Sequence, residues 1–255
     1  MPSETDNYWA ATKHPWACVL FVLPLLAIYE IGLYVANVPK EEMRNGADVW
    51  LRAALGHLGV SPIYGAPLIL LGVLLAWGLV RRQGRPTDNV GVWVGMIGES
   101  AAYALLLLAL CQGFWHVLLR ADHFLGQPSQ RIALLQISAA DPERMWGQIV
   151  SYLGAGIYEE TLFRLLLFAG LVRLFQWSDQ RASLTAIALA AFASAVLFAA
   201  AHHLGPSGEP FDLCVLSFRT FAGLYFAALY QLRGFGVAVG AHAGYDVLVG
   251  LIVHV

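Results

Sequence analysis

The chain has 255 residues, of which 58% are hydrophobic and only 13% charged, with a formal net charge of −2. Soluble domains carry about 25% charged residues, so this composition, with a mean hydropathy of +0.63, excludes an ordinary soluble protein. The near-neutral charge, with no Lys/Arg-rich tail, also excludes nucleic acid as a partner.

An all-α, polytopic transmembrane helical bundle is therefore expected, with the lipid bilayer as its surroundings. A bilayer core of about 30 Å needs about 20 apolar residues per crossing, and about seven such spans can be traced. The polar N-terminus, Met1 to His14, lacks a basic stretch and a small-residue cleavage site, so no removable signal peptide is expected. Tyr8, Trp9 and Trp16 suit the headgroup interface. Span one covers residues 16–38 and contains Pro24 and the acid Glu30. A polar connector over 39–62 has room for a short surface helix. Span two covers 62–80 and stops at the basic run Arg81-Arg82-Gln83-Gly84-Arg85. Span three covers 92–119, with Glu99, Gln112 and His116 inside it.

A long polar connector follows, in which the apolar patch Ile132 to Ile137 is too short to span. Span four, 145–175, is longer than a simple crossing and predicts tilt or a solvated first turn. Spans five to seven cover 184–203, 213–232 and 235–255. The short connectors favour an N-inside, C-outside orientation by their Arg content. No repeat or low-complexity linker appears, so 1–255 reads as a single integral membrane domain. Residues 1–144 supply N-terminal spans and 145–255 the chemistry-bearing helices. Cys18, Cys111 and Cys214 lie in apolar runs without pairing spacing and read as small buried hydrophobes.

Charged residues inside an apolar helix cost roughly 2.5–3.5 kcal/mol each on insertion scales. Span four nevertheless carries Glu159, Glu160 and Arg164. At 3.6 residues per turn, Glu160 and Arg164 share a face and can pair. Glu159 is rotated about 100° from Glu160, which leaves it free for another task. In span five, Ser194, Phe198 and His202 form one stripe, and the helix ends at Leu204-Gly205-Pro206. His202 and His203 at that end also fit plain interfacial histidines. Span seven has a small-residue stripe, Gly236, Gly240 and Gly244, suited to close helix approach. His242 and Asp246 point away from that stripe, either toward a cavity or satisfying each other.

Carboxylates and histidines on three of the last four spans are the materials of water activation. The same side chains suit zinc, but no HExxH is present and the groups are scattered. A metal-dependent version is thus the weaker alternative, and no cofactor is expected. A non-catalytic membrane scaffold or immunity factor is a second alternative. A proton-coupled carrier is a third, without the inverted repeat expected of one.

The three patterns Glu159-Glu160-x-x-x-Arg164, Phe198-x-x-x-His202 and His242-x-x-x-Asp246 resemble the CAAX-protease and bacteriocin-processing family. This is also called the abortive-infection family, and its members are glutamate-type intramembrane endopeptidases. The motifs occur in the family's order, each on its own predicted helix, and the resemblance covers residues 145–250. It implies hydrolysis of a peptide bond in a membrane-associated protein or peptide. It implies that Glu159 and His202 activate the attacking water, and that His242 and residue 246 stabilise the oxyanion. Glu160 and Arg164 would form a structural pair close by.

Position 246 is Asp where family members often have Asn. An ionised Asp cannot donate a hydrogen bond to an oxyanion, so Asp246 is expected to orient His242. His203 faces away from His202. Arg219 is expected to pair with an acid such as Glu160, Glu99 or Glu30, or to snorkel. Glu30 and Glu99 read as structural partners. Frequent Trp and Gly and compact connectors suggest a bacterial inner (plasma) membrane. In a peptide-cleavage assay, Glu159→Gln and His202→Ala are expected to abolish turnover, and Asp246→Asn to retain it. An inactive Asp246→Asn beside an active Glu159→Gln would reverse the assignment.

Overall fold

A computed structural model describes residues 8–36, 39–80, 89–124, 142–176, 183–205 and 208–252. Every regular element among them is helical and no strand occurs among the described residues, as an all-α bundle requires. The first half contains α1 (Tyr8–Ala11), α2 (Pro15–Val35), α3 (Lys40–Met43), α4 (Gly46–His57), α5 (Pro62–Val80) and α6 (Asn89–Phe124). The second half opens with α7 (Pro142–Glu160), a π-helical segment (Thr161–Phe168) and α8 (Ala169–Phe175), which follow one another without a break. It closes with α9 (Leu184–Ala201), α10 (Leu213–Arg233) and α11 (Phe235–Ile252). The apolar patch expected at 132–137 and the basic run at 81–85 lie outside the described residues.

Local sequence sets the helix ends. Pro15 occupies the first turn of α2, where its missing N–H costs nothing, and His14 Nδ1 accepts from the Trp16 amide at 3.2 Å. Asn45, Ser183 and Asp212 cap α4, α9 and α10 in the same way, by side-chain oxygens that accept first-turn amides. Gly234 ends α10 at φ 93°, a conformation disfavoured for residues with a Cβ, and α11 starts at the next residue. A Cβ at this turn would also meet the N-terminal segment, at 2.9 Å from Lys13 Cα.

Among the described residues, five helical stretches are long and apolar enough to cross a membrane: Pro15–Val35, Ile63–Val80, Val90–Phe114, Leu184–Ala201 and Leu213–Arg233. They coincide with the expected spans one, two, three, five and six. The other two expected spans, α7–π–α8 and α11, do not meet that measure. α11 is the inner helix of the bundle, packed against α2, α6, α7 and α10. Phe235, Val237, Ala238, Val239 and Ala241 are wholly buried. Protein rather than lipid surrounds this helix, so polar residues on it can be satisfied by neighbours.

Small residues set the spacing of these helices, as expected where lipid removes the hydrophobic drive between them. The seam of Gly236, Gly240 and Gly244 packs within the chain. A Cβ on Gly240 would press on the Ser100 side chain of α6 and stand 3.0 Å from Phe21 of α2; one on Gly244 would meet Ala104 of α6 at 3.3 Å. At the crossing of α7 and α11, a Cβ on Gly156 would lie 2.9 Å from the Ala243 nitrogen and 2.9 Å from the Val239 oxygen. Gly154 faces the Tyr29 ring of α2 in the same manner.

Polar clusters tie the N-terminal helices to this core. At one end of α6, Glu99 pairs with Arg233 and accepts from the Tyr8 hydroxyl at 2.8 Å, while the Arg233 guanidinium lies 3.6 Å over the Trp9 ring. Tyr8 and Trp9, expected at the headgroup interface, thus also fasten the N-terminus to α6 and α10. The expected connector helix is α4, whose Asp48 and Arg52 are buried. Arg52 donates to Asp48 at 2.6 Å and to Glu30 at 2.9 Å; Tyr29 donates to Asp48 and Tyr158 to Glu30, each at 2.8 Å. Burial pushes the Asp48 carboxyl above its ordinary range, against the pull of Arg52, Tyr29 and Arg44. Glu30 and Glu99 are therefore structural partners.

At Gly156 the obstructing atoms are backbone and cannot swing aside. Gly156→Ala is expected to destabilise the protein by about 1–3 kcal/mol through overpacking, read as a lower unfolding midpoint in detergent. Gly98→Ala, where nothing lies within 4 Å of the new Cβ, is expected to be neutral or stabilising by up to about 1 kcal/mol.

Candidate active site

Glu159 and Glu160 are the last residues of α7, and the π-helical segment begins at Thr161. Such segments are rare and often mark functional sites. The Ser194 hydroxyl of α9 donates to the Phe163 carbonyl at 2.7 Å, which fastens the π-helical segment to the helix that carries His202.

Glu160 turns inward. Its Oε2 lies 3.2 Å from Arg164 Nε, and both side chains are fully buried. Other elements contact the rest of the guanidinium. Its Nη2 donates to the Gly223 carbonyl of α10 at 3.2 Å, and its plane stands 4.4 Å from the Phe198 ring and 5.5 Å from the Phe226 ring. Cation–π contacts of this kind are strongest where water is excluded. The other Glu160 oxygen lies 2.8 Å from His242 Nδ1. An ionised carboxylate only accepts, so Nδ1 carries the proton. The Phe226 ring stacks on His242 at 4.4 Å with planes 15° apart.

The expected Glu160–Arg164 pair is thus present and does more than neutralise charge: it holds His242. Asp246, expected to orient this ring, lies 3.5 Å from its Nε2, whereas the short contact is Glu160's. The close approach of α7 and α11 at Gly156 brings the Glu160 carboxylate to the ring nitrogen opposite the one Asp246 faces.

Glu159 points elsewhere. Its Oε2 stands 3.8 Å from His202 Nε2 and 3.9 Å from His242 Nε2. Neither distance is a direct hydrogen bond, and both suit groups joined through a small molecule between them. This oxygen is buried and accepts from no protein donor among the described residues. His202 caps α9, and its Nδ1 lies 2.8 Å from the Phe198 carbonyl. A carbonyl accepts, so Nδ1 donates, and Nε2 of the neutral ring is left as an acceptor facing Glu159. Phe198 meets the His202 ring at 4.9 Å and the His242 ring at 6.0 Å, both edge to face.

A cavity of about 110 Å³ opens on this group, lined by Glu159, Phe163, His202 and Glu209 and by Gly46, Ala47 and Trp50 of α4. One water needs about 10–15 Å³ on this kind of measure, so several fit. His203 turns out of the cluster, with Nδ1 3.1 Å from the Glu209 carbonyl. Arg219 pairs with Glu209 at 2.6 Å rather than with Glu160, Glu99 or Glu30. No set of three or more His, Cys, Asp or Glu side chains among the described residues is arranged to hold a metal ion.

All of Glu159, Glu160, Arg164, Phe198, His202, His242 and Asp246 therefore meet in one cluster. Phe226 and the α4 wall were not foreseen. Phe226 lies in an aromatic segment, Leu224-Tyr225-Phe226, whose stacking role has no spacing signal. Trp50 lies more than a hundred residues before the motifs.

Residues 141–248 match the model of a family described as type II CAAX prenyl endopeptidase Rce1-like. The match begins just before α7 and ends within α11, leaving α1 to α6 outside it. No curated protein and no solved structure matches the chain.

Removing one partner of a buried ion pair strands the other charge. Arg164→Met is expected to cost about 3–5 kcal/mol, visible as a lower unfolding midpoint in detergent. Arg219→Met breaks a pair whose acid is half exposed and is expected to cost no more than about 1 kcal/mol.

Proposed function

We propose that this chain, whose residues 141–248 match the type II CAAX prenyl endopeptidase Rce1-like family, hydrolyses a peptide bond with a water activated by Glu159 and His202. The observation that carries this reading is the Glu159 oxygen, buried at the cavity and faced by two imidazole Nε2 atoms at nearly equal distances. Glu159 and His202 Nε2 each accept a hydrogen bond from one O–H of a bound water, which directs its lone pair outward at a carbonyl carbon. As the C–O bond forms, the water proton passes to Glu159. The tetrahedral oxyanion is met by the N–H on Nε2 of doubly protonated His242, while Glu160 holds the opposite nitrogen. Glu159 then returns the proton to the leaving nitrogen as the C–N bond breaks.

Asp246 contributes by balancing the His242 charge from 3.5 Å, a task that leaves the oxyanion contact to the imidazole. Residues 1–144 form the frame and 145–255 the catalytic helices of one membrane domain. The substrate is a membrane-associated protein or peptide, and the apolar spans support an integral, multi-pass location. A bacterial inner (plasma) membrane is the proposed site of action, supported by the composition and short connectors.

The test uses the purified full chain in detergent with quenched peptides and membrane-anchored substrates. Cleavage that is lost in Glu159→Gln and unchanged by chelators is expected. Cleavage abolished by chelators and restored by Zn²⁺ would replace this mechanism with a metal-dependent one. Proton-coupled uptake into liposomes without any cleavage would replace it with transport.

A further inference from the structure

Part of the cavity wall comes from α4, outside the matched segment. Trp50 of α4 lines the cavity with Glu159 and His202. Its ring edge passes 3.9 Å from where a Cβ on Gly46 would sit, and its Nε1 lies 3.5 Å from the equivalent point on Gly205. The indole therefore spans from its own helix to the turn that ends α9, just beyond His202. Ala47 and Leu204 line the same cavity as Trp50.

α4 cannot readily yield to a larger occupant. Its buried Arg52 and Asp48 are tied to Glu30 and Tyr29 of α2, and through Glu30 to Tyr158, the residue before Glu159. The wall and the carboxylate are thus held by one network. The space between them is about 110 Å³, well below the roughly 300–1,000 Å³ of sites that enclose whole small molecules. We propose that Trp50 is a specificity-determining residue of this site, limiting the size of the apolar side chain that adjoins the scissile bond. This rests on the reading of Glu159 as the water-activating group.

The test varies that side chain among Ala, Leu and Phe in otherwise identical membrane-anchored peptides. Wild type is expected to prefer Ala. Trp50→Ala is expected to raise kcat/KM for Leu and Phe relative to Ala by at least about tenfold, the scale on which apolar pockets discriminate by size. Trp50→Phe is expected to shift the ratio less, and serves as the folded reference should the alanine variant lose stability. A uniform fall in kcat/KM with unchanged ratios in both variants would overturn the proposal and leave the hydrolytic reading intact. The same peptides are bound to Glu159→Gln and to Glu159→Gln with Trp50→Phe, and their Kd values read by fluorescence anisotropy. Peptides that these variants bind but the wild type leaves uncleaved would overturn the hydrolytic reading, while their Kd ratios still decide for or against Trp50.

Discussion

One buried carboxylate organises this bundle. Glu160 has no exposed surface, and an ion in such a place is tolerated only where neighbouring groups offset its charge. Those neighbours come from different helices. Arg164 follows it in the π-helical segment, and His242 reaches it from α11. Arg164 in turn engages the Gly223 carbonyl of α10 and the Phe198 ring of α9. The pairing that offsets the cost of one charge therefore fixes how four elements meet. It also leaves Glu159, one residue earlier, as the acid whose oxygen faces the cavity.

Glycine makes that meeting possible. Between lipid-embedded helices, contact area and hydrogen bonds replace the hydrophobic drive, and both require close approach. Gly156 lets α7 touch the α11 backbone one turn before the paired acids, and Gly223 lets α10 approach Ala195 and Phe198 of α9. The seam of Gly236 and Gly240 seats α11 on α6 and α2. Because α11 is enclosed, the His242 ring is held at a face and at an edge: Phe226 stacks on it and Glu160 anchors one nitrogen. A ring so held presents its remaining nitrogen in one direction, which is what preorganised stabilisation of a developing charge demands.

The N-terminal half has its own logic. Its ionisable residues are consumed by structure: Glu99 by Arg233 and Tyr8, Glu30 by Arg52 and Tyr158. These links join α1, α2 and α4 to α6, α7 and α10, so the frame and the motif-bearing helices share one polar skeleton. The half without motifs still shapes the cavity, because α4 contributes to its lining.

The linear chain was sufficient for the helical class, for most span positions and for the grouping of Glu159, Glu160, Arg164, Phe198, His202, His242 and Asp246. Apolar run length and the spacing of four are local properties, and a charge in an apolar run is conspicuous wherever it folds. Glu160–Arg164, at i,i+4, could be read directly for the same reason. Only the tertiary structure decided that Glu160 rather than Asp246 makes the short contact to His242, that Arg219 pairs with Glu209, and that α4 closes the cavity. Each depends on the distance between helices far apart in the chain. That distance is set by side-chain packing at Gly156, Gly154 and Gly240, which no periodicity along one helix records.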